Sequence, residues 1–122
     1  MRILITGAAG MIGRKLSARL AADGAIAGQP IESAHLIDIA APAPPAGARF
    51  ATLCEAVDVA APSTAARAIA TRPDVVFHLA AVVSGEAESD FDKGYAVNLD
   101  ATRTLFEAIR HERDHFGGAY RP

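Results

Sequence analysis

The spacing of apolar and polar residues changes several times along the chain, and each change predicts an element. "RILIT" (Arg2 to Thr6) is a short apolar, β-branched run that stops at Gly7, as a strand does. Ile12, Leu16 and Leu20 then recur at i, i+4 and i+8, which predicts a helix that Asp23-Gly24 ends. "AHLIDI" (Ala34 to Ile39) and "RFATLCEAV" (Arg49 to Val57) predict a second and a third strand. "DGAIAGQPIE" reads as a loop before the second strand. "APAPPAG" (Ala41 to Gly47) reads as a surface loop after it, because proline lacks an N–H and fixes φ. Pro62-Ser63 opens a short helix to about Thr71, and "VVFHLAA" (Val75 to Ala81) is a wholly apolar fourth strand. The polar "SGEAESD" reads as a loop into one long helix from about Phe91 to Phe116, with Ser89-x-x-Asp92 resembling a capping box.

Strands that lack period-2 alternation and are separated by helices predict an α/β fold, a parallel sheet covered on both faces. The 122 residues suffice for one core, and there is no internal repeat. Apolar residues at 51% and charged residues at 21% suit a folded soluble chain. The net charge of -2 gives no reason to expect a nucleic acid partner. Cys54 is the only cysteine, so neither an internal disulfide nor a cysteine zinc cluster can form. No apolar run approaches the roughly 20 residues of a membrane span. "MRILITG" enters a strand with no signal peptide ahead of it, so the expected compartment is the cytoplasm.

The strongest chemical signal is "ITGAAGMIG". Gly7, Gly10 and Gly13 stand at G-x-x-G-x-x-G between the first strand and the first helix. Gly7 lets the chain turn off the strand, Gly10 lets a pyrophosphate approach the backbone, and Gly13 lets the helix pack close to the sheet. Met11 and Ile12 lie in the helix's first turn, whose N–H groups carry partial positive charge toward a phosphate. An ordinary glycine-rich turn is the alternative, but strand, helix and a following acid are all in place. That acid, Asp38, ends the second strand, where a carboxylate can accept both ribose hydroxyls of adenosine. It would also repel a 2′-phosphate. Unit charges about 4 Å apart interact by ~4 kcal/mol at an effective dielectric near 20, and even half of that exceeds tenfold in affinity. NAD is therefore expected over NADP, with Arg14 and Lys15 as the opposing indication. The fold these features point to is a Rossmann-type doubly wound sheet.

"TGAAGMIG", "LID", "AVDVA", "VVFHLAA" and "YAVNLDATRTLFEA" resemble the extended short-chain dehydrogenases/reductases of the NAD-dependent epimerase/dehydratase type. Within that family, "HLAAVVSGEAESDFDKGYAVNLDAT" is most similar to dehydrogenases of four-carbon sugar acids such as D-erythronate. The resemblance implies that Asp58 and Val59 contact the adenine. It implies that Leu79, Ala80 and Ala81 run beside the cofactor's phosphates and ribose, and that Asn98 buttresses the site from the long helix. Ser84 and Gly85 would line the nicotinamide end or a sugar-acid substrate, and the long helices would support a homodimer. Other readings of the same residues are an Asx cap for Asp58, plain core for Ala80 and Ala81, and a helix-to-backbone bond for Asn98. Glu86, Glu88 and Asp90 read as a solvated acidic loop, and His78 as a hydrogen-bonded core histidine.

The family's chemistry uses a Tyr-x-x-x-Lys pair, and this chain has none. Tyr95 is followed four places on by Leu99, Tyr120 is near the end, and the only lysines are Lys15 and Lys93. The expectation is that residues 1–122 are the N-terminal part of a single NAD-binding domain, with catalytic and substrate regions outside them. Such a segment is expected to turn nothing over alone and to bind NAD weakly or not at all. A nucleotide-sugar epimerase or dehydratase, or a non-catalytic Rossmann nucleotide-binding module, are the other functions considered.

One string points elsewhere. "HERDHFGG" (His111 to Gly118) matches the His-Glu-x-x-His signature of zinc peptidases. On a helix of about 100° per residue, Phe91, Tyr95, Asn98, Thr102, Leu105, Phe106, Ile109 and Phe116 form the stripe expected to bury. His111 and His115 fall roughly opposite, and Arg121 stands where a third ligand would be needed. The string reads as the outer face of a helix stopped by Gly117-Gly118, not as a metal site.

Overall fold

In the computed structural model, which describes residues 1–122, the elements are β1 (Arg2–Thr6), α1 (Met11–Asp23), β2 (Ala25–Ile26), β3 (Gln29–Pro30), β4 (Ser33–Asp38), β5 (Ala51–Ala56), α2 (Thr64–Ala70), β6 (Val75–His78), α3 (Ser84–Ser89), α4 (Phe91–Gly94), a π-helical turn (Tyr95–Asp100) and α5 (Ala101–His115). Four strands form one parallel sheet in the order β5-β4-β1-β6. The chain moves outward from β1 to β4 to β5, then crosses back to place β6 on the other side of β1. That reversal beside β1 is the switch point at which open α/β sheets form clefts.

The unbroken apolar runs have a direct cause. Ile3 and Ile5 pack with Ala34, Leu36 and Leu20 of α1 on one face. Leu4 and Ile37 pack with Ala65, Ala68 and Ile69 of α2 and Leu105 of α5 on the other. Successive strand residues point to opposite faces, and both faces are covered, so neither parity is polar. Helix α1 ends where Gly24 adopts φ 66° and donates its N–H to Leu20 O. The loop "APAPPAG" carries no helix or strand, as its prolines require.

Five sequence expectations need correction. The segment after α1 forms a small hairpin, β2 with β3, across Ala27 (φ 49°) and Gly28 (φ 79°). The third strand is trimmed to Ala51–Ala56. The fourth ends at His78, so Leu79, Ala80 and Ala81 leave the sheet, though Leu79 N still donates to Thr6 O. "SGEAES" is helix α3, which buries no residue. The long helix is interrupted by the π-helical turn, and its first cap is Asp90, which accepts from Lys93 N; Ser89 Oγ instead donates to Glu86 O.

The π turn also shifts the buried stripe. An extra residue per turn rotates everything after it by about 100°. Leu105 is buried as expected, but the other fully buried position of α5 is Ala101. After the turn Phe106 is 66% and Phe116 44% exposed, and Phe91 and Tyr95, which the rotation does not reach, are also more than 60% exposed. His111 and His115 are exposed, and Arg103–Glu107 and Arg110–Asp114 form the i, i+4 pairs their spacing implies. Gly117 and Gly118, both at positive φ, end the helix, with Gly118 N donating to Arg113 O.

Candidate functional site

The C-terminal ends of the strands open into a cleft of about 380 Å³. Its floor is the glycine turn. Gly7 has φ +73°, and a Cβ there would come within 2.6 Å of Ala80 N and of Leu79 C. Only glycine fits, both for its backbone angle and because the chain after β6 lies against it. Gly13 is buried under the same turn: a Cβ would stand 2.3 Å from Gly7 O and 2.6 Å from Ala8 Cα. The close approach is thus helix to glycine turn, rather than helix to sheet. Gly10 differs, being exposed and lining the cleft, where a Cβ would meet only Gly7 O at 3.3 Å and would project into open space. Helix α1 starts just after it with no side-chain cap. Met11 and Ile12, more than half exposed, occupy its first turn beside the cleft without lining it.

Two acids line the same cleft. Asp38 Oδ2 accepts from Ala9 N at 2.9 Å, and its Oδ1 accepts from Ala40 N at 3.1 Å. The carboxylate therefore ties the glycine turn to the end of β4. A carboxylate has about four acceptor positions, so each oxygen retains capacity for a hydroxyl. Asp58 Oδ1 accepts from Ala60 N at 2.8 Å. That is the Asx-cap geometry, and the residue still borders the cleft with Val59.

The far wall comes from residues 79–97. Leu79, Ala80 and Ala81 line it together with Val82. Asn98 stands behind this wall, not on it. Its Oδ1 accepts from Val82 N at 2.9 Å and its Nδ2 donates to Val82 O at 3.1 Å, a two-point clamp on one residue. Ser84 and Gly85 are exposed on the first turn of α3 and do not line the cleft. Glu86 and Lys93 do, and they form an ion pair. The hydrogen bond to Glu86, followed by that carboxylate's charge, raises the Lys93 ammonium above its ordinary pKa.

Sequence reading missed Lys93 and Ile39 as cleft residues and treated Glu86 as solvated. Ile39 had a visible signal, an apolar residue directly after the acid at a strand tip, and it is 73% exposed. Nothing in the spacing of Glu86 and Lys93 marks them, because helix α3 brings them together. His78 sits under the wall between Thr6 and Thr102, and burial lowers its pKa. No group of three or more His, Cys, Asp or Glu side chains is assembled as a metal cluster. No helix is long and apolar enough to cross a membrane.

A parallel sheet with its cleft at the switch point, a tight glycine turn leading into a helix and an acid at the next strand tip define a Rossmann-like nucleotide-binding fold. The particular family follows from comparison with known proteins. The model of the NAD dependent epimerase/dehydratase family matches residues 3–118, and the chain belongs to that family. It is 45% identical over 114 residues to D-erythronate dehydrogenase of Cupriavidus necator, covering 90% of this chain and 35% of that protein. A crystal structure of a nucleoside-diphosphate-sugar epimerase from Agrobacterium tumefaciens superposes with a TM-score of 0.96 at 54% identity, covering 100% of this chain and 35% of that one. A variant of uronate dehydrogenase from Agrobacterium tumefaciens, solved in complex with NAD, superposes at 0.69 with 30% identity, covering 90% of this chain and 36% of that one. The chain thus spans about a third of the length of these relatives.

Proposed function

We propose that residues 1–122 are the NAD-binding portion of an NAD-dependent oxidoreductase that acts on a four-carbon sugar acid, D-erythronate or a close analogue. The observation carrying the cofactor reading is the pairing of an open Gly10 face with Asp38 across one cleft. The residues fit the group. Gly10 and the start of α1 would take the pyrophosphate, Asp38 the adenosine ribose, and Asp58, Val59 and Ile39 the adenine. Leu79, Ala80 and Ala81 would border the remainder of the dinucleotide, with Asn98 positioning them through Val82. Gly7 and Gly13 would act through packing, and Met11 and Ile12 through their position in the helix's first turn. Bound nicotinamide supplies a hydride acceptor. These residues would bind and orient it, while the Tyr-x-x-x-Lys pair is not among them.

The sugar-acid reading rests on 45% identity to a D-erythronate dehydrogenase. A second reading, epimerisation of a nucleoside-diphosphate sugar, is favoured by the name of the 54% identical structure. Ser84 and Gly85 would sit on the substrate side in either case. A homodimer through the helical face and a cytoplasmic location complete the proposal.

The test offers the full-length protein NAD with D-erythronate in one assay and a UDP-hexose in another. NADH formation with the sugar acid is expected; epimerised UDP-sugar without net NADH would replace the first reading by the second. For the cofactor, NAD is titrated into isotope-labelled 122-residue chain, which detects even weak binding. Amide shifts at Gly7, Gly10 and Ala80 are expected, and Gly10→Val should abolish them. Shifts that survive in that variant would remove the glycine turn from the site.

A further inference from the structure

Beneath the cleft wall runs a row of polar groups that no cofactor contact requires. Thr6 Oγ1 lies 2.6 Å from His78 Nδ1, and His78 Nε2 lies 3.0 Å from Thr102 Oγ1. Thr102 Oγ1 donates to Asn98 O at 3.0 Å. Thr6 Oγ1 also accepts from Leu79 N at 3.2 Å and from Ala80 N at 3.3 Å. The row links the end of β1, through β6, to the π-helical turn.

Counting protons fixes its direction. A hydroxyl has one hydrogen and two acceptor positions, and a carbonyl can only accept. Thr102 therefore gives its hydrogen to Asn98 O and must accept from His78 Nε2–H. A neutral imidazole with hydrogen on Nε2 has a bare Nδ1, which accepts the Thr6 hydroxyl hydrogen. The two remaining positions on Thr6 Oγ1 are filled by Leu79 N–H and Ala80 N–H. Leu79 N–H is shared, since it also donates to Thr6 O at 3.0 Å. A protonated His78 would aim a second hydrogen at Thr6 Oγ1, so the Thr6 hydroxyl hydrogen would have to turn away and Leu79 N–H would be left to Thr6 O alone.

We propose that His78 is a positioning residue, held as the neutral Nε2–H tautomer, whose hydrogen bonds through Thr6 and Thr102 seat the Leu79–Val82 wall against Gly7. The proposal depends on the NAD-binding reading only for its functional consequence. The seat has little slack, since the space between Gly7 and Ala80 N would not admit a Cβ. The other end of the wall is fixed through the same residue that Thr102 touches, because Asn98 clamps Val82. The apolar pocket beside His78 is walled by residues of β1, β4, α2 and α5, among them Leu4, Ile37, Ala68, Ala101 and Leu105, none of them titratable. Burial alone lowers the His78 pKa. A folded-state pKa below the unfolded one means that stability is intact above the ordinary histidine range and declines as pH falls through it.

The experiment is long-range proton–nitrogen correlation NMR on histidine-labelled chain, with His78 assigned by its loss in His78→Gln. At neutral pH a bare Nδ1 and a protonated Nε2 are expected at His78, persisting below the ordinary histidine range. An Nδ1–H tautomer or an imidazolium at neutral pH would overturn the proposal. Thr102→Val and Thr102→Ser are then compared by amide exchange. Loss of the acceptor should speed exchange at Ala80 by about tenfold in the valine variant, with serine restoring the wild-type rate. Equal rates in all three proteins would show that the row does not hold the wall. These readouts need no cofactor. If the full-length protein fails to bind NAD while the tautomer and exchange results hold, the NAD-binding reading falls and this one stands.

Discussion

The two walls of the cleft are built on opposite terms. The glycine-turn wall is backbone against backbone: at Gly7 and Gly13 an added Cβ would meet main-chain atoms at 2.3–2.6 Å. The helical part of the far wall, from Glu86 to Val97 with Asn98 behind it, is held by side chains. Its single fully buried residue is Gly94, whose missing Cβ lets α4 rest on Ala87. It is otherwise secured by the Asp90 cap, the Asn98 clamp and the Lys93–Glu86 pair. One wall has no room to adjust; the other can change by moving side chains. A fixed surface suits the part of a ligand that never varies, such as a pyrophosphate.

The sharpest way to break this contrast is Gly13→Ala. The methyl group would overlap Gly7 O and the Ala8 backbone, and neither can rotate away. A loss of about 3 kcal/mol or more in urea unfolding is expected, at the upper end for overpacking. Gly10→Ala, with only one contact at 3.3 Å, serves as the control and should cost far less. Similar losses in both would mean that the glycine wall is not the rigid one. The next effect is on the helical wall. Asn98→Ala removes both bonds to Val82, and a loss of about 1 kcal/mol is expected. Amide exchange at Val82 should rise while β1 amides stay protected. A loss as large as that of Gly13→Ala would put both walls on equal footing.

This contrast also explains what could be read in the sequence. The placement of Gly7, Gly10 and Gly13 in the turn and of Asp38 at the strand tip is legible because each is local, set by residue type and by distance from a strand end. The strands are legible because both faces of the sheet are covered. The π turn is not legible: Tyr95 to Asp100 keep helical composition, and an i→i+5 bond leaves no mark in residue type. Its consequence, a buried Ala101 beside an exposed Phe106, could not be read from a uniform helical period. Helix α3 has no apolar stripe because it buries nothing, so periodicity had no signal to find. The β2–β3 turn was half visible, with Gly28 suited to positive φ and Ala27 not. The Asn98–Val82 clamp and the Asp38–Ala9 bond join residues 16 and 29 apart, and only the fold brings them together.

The smallest expected effect sharpens the contrast most finely. Lys93 and Glu86 have side chains 45% and 46% exposed, and exposed pairs contribute little because water and salt screen them. Lys93→Gln should leave the unfolding midpoint unchanged, and high salt should not loosen the helical wall. Yet Lys93 is the only cation lining a cleft that also holds Asp38, Asp58 and Glu86. Its removal leaves three carboxylates facing any phosphate that enters, so a dinucleotide titration should show weaker shifts with stability intact. If stability and shifts fall together, the pair is structural and the helical wall is less adjustable than its exposure implies. If neither changes, the ligand's charge is met by the glycine turn and the start of α1 alone. The fixed wall would then carry the electrostatics as well as the shape.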